Sequence, residues 1–151
     1  MLKLQRKHLL CSMLLITSAT VHAEVTIMPH DIVAKFFSEL SHNKPEEAID
    51  GLMDTNPEIK KEVSQIDTLK AQFKNYPTTL GDYQFNELLC HRKIGKHLIN
   101  NTYLVGYKKS PMLFDFIFYN DTKTWKIKNI NTNDFNIDYI NNNSDWCNVE
   151  N

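Results

Sequence analysis

Glycine is scarce, with 4 in 151 residues, and none belongs to the Gly-rich loop that cradles phosphates. No G-x-S-x-G turn is present to raise a nucleophilic serine. No carboxylates are paired at metal spacing, and no C-x-x-C unit supports thiol redox chemistry. Acid is missing altogether before Glu24. These absences remove the sequence grounds for nucleotide, esterase, metal-hydrolase and thioredoxin-like chemistry.

What stands before Glu24 has the form of an export signal. Lys3, Arg6 and Lys7 give a basic start, Leu9 to Ile16 an apolar run, and Val21-His22-Ala23 a small-residue cleavage site. The run is shorter than the roughly 20 apolar residues a spanning helix needs. Cys11 follows Leu10 inside that run, which does not suit a lipid-anchored cysteine. The expectation is a signal peptide over 1–23, a single domain over 24–135 and a polar tail over 136–151, in a periplasmic or secreted protein. Without residues 1–23 the chain carries 14 Lys and Arg against 18 Asp and Glu, a net charge of −4. Such a balance argues against nucleic acid, whose phosphates call for a basic face, and against an anionic membrane surface.

Cys90 and Cys147 are the two cysteines beyond the signal. In an exported domain an even pair forms a disulfide more often than not, which the chain-entropy model values at roughly 4 kcal/mol for a loop of this size. Two buried thiols are the alternative.

Apolar residues at helical spacing mark the first half of the domain. Ile32, Val33, Phe36, Phe37 and Leu40 form one stripe, opened by Asp31. Pro45 with Glu46 and Glu47 starts a second, short helix that buries Ala48, Ile49, Leu52 and Met53. Asn56-Pro57 repeats the start signal. Ile59, Val63, Ile66, Leu69 and Phe73 then make a third stripe, with Pro77 as its expected end.

From Asp82 the period changes to two. Strands are expected over 82–91, 97–108, 112–120 and 124–131. In the third, Met112, Phe114, Phe116 and Phe118 alternate with Leu113, Asp115, Ile117 and Tyr119, so one face is purely apolar. The connections are short and polar, as in an antiparallel meander. The expected fold is α+β, three N-terminal helices packed on a four-stranded antiparallel meander. Trp146 and Cys147 suggest that the Asn-rich tail is pinned.

Three helices followed by four strands, the last opening Trp125-Lys126-Ile127-Lys128 after a polar turn, resemble the nuclear-transport-factor-2-like superfamily, the cystatin-like cone. The likeness covers residues 30–135. It implies a cone-shaped sheet and, by analogy, a homodimer. The superfamily holds isomerases, dehydratases, ligand carriers and interaction modules, so fold alone does not assign an activity.

Candidate sites follow from side-chain chemistry. Tyr83, Phe85, Tyr103, Tyr107, Phe114, Phe116, Phe118 and Trp125 form an aromatic set on the sheet, which lines either a pocket for an apolar ligand or a filled core. Asp115, Glu87 and His91 are the candidates for a single acid or base, although alternation puts Asp115 opposite the phenylalanines. Cys90-His91 with His97 is the one soft-ligand cluster, short of the ligands a metal needs. Arg92, Lys93 and Lys96 read as a solvated turn. No catalytic residue, cofactor or metal site is expected. The leading expectation is a non-catalytic exported domain that binds a protein partner or a small apolar ligand. A small isomerase- or dehydratase-like enzyme is the competing one.

Overall fold

The computed structural model describes residues 27–136 and Cys147. The expected signal and most of the expected tail lie outside the described residues. Helix α1 spans Pro29–Ser41 and helix α2 Pro45–Met53. A single 3-10 turn at Ile59–Lys61 precedes helix α3 at Val63–Leu80. Strands β1 (Tyr83–Ile94), β2 (Leu98–Tyr107), β3 (Pro111–Asn120) and β4 (Trp125–Asp134) follow. They pair antiparallel in the order β1-β2-β3-β4, an open four-stranded meander. The architecture is α+β.

Local chemistry explains most boundaries. Pro29 occupies the first turn of α1, where its missing N–H costs nothing. The Asp31 carboxylate accepts the Met28 N–H at 3.3 Å, tying down the entrance. Asn56 opens the 3-10 turn through Oδ1, which accepts the Glu58 N–H. The backbone at Glu62 (φ −85°, ψ 61°) separates that turn from α3, so the expected stripe is interrupted. Val63 is left 62% exposed, while Ile66, Phe73 and Tyr76 face inward.

Pro77 does not end the third helix as expected. α3 continues through it to Leu80. The proline forfeits only the bond to the Phe73 carbonyl, and Gly81 N–H still donates to Pro77 O at 3.1 Å. The stop is Gly81. Its φ of +83° is one that side chains rarely adopt, and a Cβ there would lie 2.9 Å from Lys108 Cβ.

The helices cover one face of the sheet. On that face Phe114, Phe116 and Phe118 of β3 have no exposed surface, and Val105 and Ile127 have at most 1%. α1 and α3 supply the complementary rings. Phe36 meets Phe116 edge-on at 5.2 Å between centroids, and Phe73 meets Phe114 at 5.4 Å. Burying each such side chain stabilises the fold by roughly 1.5–3 kcal/mol. The other face of β3 carries Leu113, Asp115, Ile117 and Tyr119, as alternation dictates. Cys90 of β1 lies on this second face, opposite Thr102, and is bonded to Cys147.

Candidate functional site

The aromatic set does not share one chamber. Phe114, Phe116 and Phe118 belong to the packed core, with Tyr103 at 8% exposure beside Phe37 and Phe116. Tyr83 and Tyr107 line a hollow of about 250 Å³ at the far ends of α1 and α3. Burial raises the Tyr107 hydroxyl pKa well above its ordinary value, with the neighbouring Tyr76 and Tyr83 adding to the effect. Phe85 is on the opposite face of the sheet. A bulge between Tyr83 and Phe85 switches the side on which β1 residues point, and the Phe85 ring lies over Gly106. A Cβ at Gly106 would stand 2.3 Å from that ring, so glycine is required beneath it.

Trp125 has a different setting. It forms part of a groove of about 430 Å³ between α1, α2 and the turn joining β3 to β4. Ile32 and Phe36, one turn apart on α1, Ala48 of α2 and Trp125 make its apolar floor. Asp31, Lys35 and Glu39 recur every fourth residue along α1, so they form one ridge at the rim. Glu47 and Asp54 border the α2 side. Gly51 keeps α2 thin where the Lys35 chain lies against it, with Cε 3.8 Å from the place a Cβ would take.

The hairpin wall is held by Asp121. Its carboxylate pairs with Lys126 and accepts the backbone N–H groups of Lys123 and Thr124. These bonds, the Lys126 one foremost, hold its pKa down to about 2. Asp54 pairs with Lys60, and Glu39 lies 3.9 Å from Lys44. The groove therefore combines an apolar floor with a charged rim. It can shield an apolar group while leaving a polar end in water.

The candidate acids and base stand elsewhere. Asp115 is half-buried on the face away from the helices, where it accepts the Thr102 hydroxyl proton. Glu87 is exposed on that same face of β1. His91 sits at the β1 margin on the helix side, with Nδ1 2.7 Å from Asn101 Oδ1. None of the three lines the groove. His91 and His97 have separate partners, since His97 Nδ1 donates to the Asn120 carbonyl at 2.9 Å. Among the described residues no Asp, Glu, Lys, Arg or His is fully buried, and Asn101 and Thr102 are the buried polar ones.

Sequence reasoning marked Trp125 and the α1 stripe but missed the groove. Its rim comes from Asp31, Lys35 and Glu39, whose four-residue repeat was the available signal. Comparison with protein-family models, with curated proteins and with solved structures finds no match for this chain, and the site rests on its geometry.

Proposed function

We propose that this chain is an exported, non-catalytic binding domain whose site is the groove between α1, α2 and the β3–β4 turn. Its ligand is a small apolar molecule or an apolar side chain of a protein partner. One observation carries the reading: the aromatic interior is filled, whereas an apolar floor remains open beside Trp125. The resemblance to the cone superfamily is compatible with a carrier or interaction module. The disulfide between Cys90 and Cys147 suits an oxidising compartment, and cleavage after Ala23 would deliver the chain there.

A groove-filling substitution tests the site. Thr124 is exposed at the groove wall, so Thr124→Trp should occlude the groove without disturbing the core. An environment-sensitive apolar dye should bind the natural protein and lose affinity at least about tenfold in the variant, or about 1.4 kcal/mol. Equal binding by both proteins rejects the groove as the site. Mass measurement of the protein accumulated by its host tests export separately, because the processed chain should begin at Glu24.

A further inference from the structure

The hollow at the ends of α1 and α3 differs in chemistry from the groove, and among the described residues the two share no lining side chain. Its volume is about 250 Å³, below the roughly 300–1,000 Å³ of sites for drug-sized ligands. Phe73, Tyr76, Tyr83 and Tyr107 supply its aromatic lining. The Tyr107 ring meets Tyr76 at 5.7 Å and 64°, and Tyr83 at 6.1 Å and 85°. Phe73 and Tyr76 lie 5.0 Å apart at 52°. Rings at such angles form walls rather than a stack. Two of the three tyrosines are fixed by their hydroxyls. Tyr76 Oη lies 2.8 Å from Thr132 Oγ1 and accepts from Gln72 Nε2 at 2.7 Å. Tyr83 Oη accepts from Asn86 Nδ2. The aromatic lining is therefore set in place before any ligand arrives.

The electrostatics of this hollow favour a cation. Asp82 lines it, and the Asp82 carboxylate has neither an ion pair nor a hydrogen bond among the described residues. Among those residues no Lys, Arg or His borders the hollow, and Ser41 and Asn43 add uncharged polar groups. The two nearest lysines are engaged elsewhere. Lys44 faces Glu39 at 3.9 Å, and Lys109 Nζ donates to the Thr78 and Thr79 carbonyls at the end of α3. The end of α1 has no such partner. Leu40 and Ser41 come from its last turn, which holds no basic residue, and a helix C-terminus carries a partial negative charge. Aromatic faces add negative potential of their own.

We infer that this hollow is a binding site for a small quaternary ammonium compound, its methylated nitrogen held among Tyr76, Tyr83 and Tyr107 with Asp82 beside it. Rings around a cation of this kind attract it through their quadrupoles, and the gain grows as water is excluded. The choice of a quaternary nitrogen follows from hydrogen bonding. A primary ammonium brings three N–H donors that need acceptors, and the Tyr76 and Tyr83 hydroxyls already have partners. A quaternary nitrogen has no N–H, so ring faces and one nearby carboxylate are enough. The site lies apart from the groove near Trp125, so it is independent of the function proposed above.

The probe is choline chloride, titrated into the protein as it is isolated from its host with the disulfide intact. Choline should bind saturably, and its N-methyl proton resonance should move upfield as ring faces enclose it. The neutral compound 3,3-dimethyl-1-butanol has the same shape with carbon in place of nitrogen, and should bind at least about tenfold more weakly. Asp82 is exposed, so Asp82→Asn should fold, and its affinity for choline should fall about threefold. Tyr83→Leu keeps an apolar side chain but removes a ring, and should lower that affinity at least about tenfold. A protein that shows no saturable binding of choline overturns the inference. So does equal binding of the neutral compound, which would make the hollow merely apolar, or choline affinity unchanged in both variants. Displacement of the apolar dye by choline also overturns it, by placing choline in the groove.

Discussion

β1 and β4 are both margin strands of one sheet, yet they differ in nearly every respect. β4 buries Ile127 and Ile130 to 1 and 8% exposure beneath the helices. Its backbone is closed by Thr55 and Asn56, and its entering turn is clamped by Asp121. Both strands carry a bulge, β4 at Lys128 and β1 at Tyr83/Phe85 and Leu88/Cys90, but β1 exposes most of its length. The contrast shows that apolar content does not decide how a strand is used. Whatever packs against the strand, and whatever side chains reach its margin, settles whether its apolar residues become core or stay exposed.

The largest test of this contrast compares two phenylalanines. Phe116→Ala should cost about 3–5 kcal/mol in urea unfolding, since it empties a fully enclosed site. Phe85→Ala should cost about 1 kcal/mol or less, because its ring is half in water and covers only a neighbouring strand. Equal losses would dissolve the distinction between the enclosed face of the sheet and the exposed β1 margin.

Next comes the disulfide, whose cysteines are 57 residues apart in sequence. Replacing both with Ala should lower stability by about 4 kcal/mol at most in the chain-entropy model. Hydrogen exchange should show the loss first in β1, with β4 retaining its protection. Uniform loss along the sheet would mean that the bridge supports the whole fold equally.

Asn56→Ala should cost about 1–3 kcal/mol, because it strands the Ile127 carbonyl at the β4 margin. An unchanged midpoint in thermal unfolding would show that water closes this margin equally well. The smallest effect concerns Asp121. Its pKa is depressed in the fold, so its contribution is present above the ordinary carboxylate value and fades as pH falls toward about 2. Asp121→Asn should flatten the acid limb of a stability-versus-pH curve below about pH 4. An identical limb would remove the clamp from the account of the β4 side.

Much of the fold was legible because β3 alternates so cleanly. Met112, Phe114, Phe116 and Phe118 could only be one buried face, and the short turns around them forced a meander. Helix α1 was equally plain from its stripe. Two features defeated linear reading. Pro77 is a reliable sign of lost hydrogen bonding, yet one lost bond near the end of an 18-residue helix is tolerable. Phe85 was grouped with Tyr83 because alternate residues share a face in a regular strand, and the bulge between them leaves no mark in composition. The groove was partly hidden for another reason. Its floor and rim come from α1, α2 and a distant hairpin, so no local pattern spans it.

The site of the disulfide also bears on the order of events during synthesis. Cys90 leaves the ribosome with the first strand, and its mate emerges only after the other three. The covalent link therefore cannot form until all four strands have been made, and it fits only a meander in the register set by its phenylalanines and turns. A chain with misaligned strands would bring the two sulfurs to different places, so closure of the bond is a check on the register of the sheet.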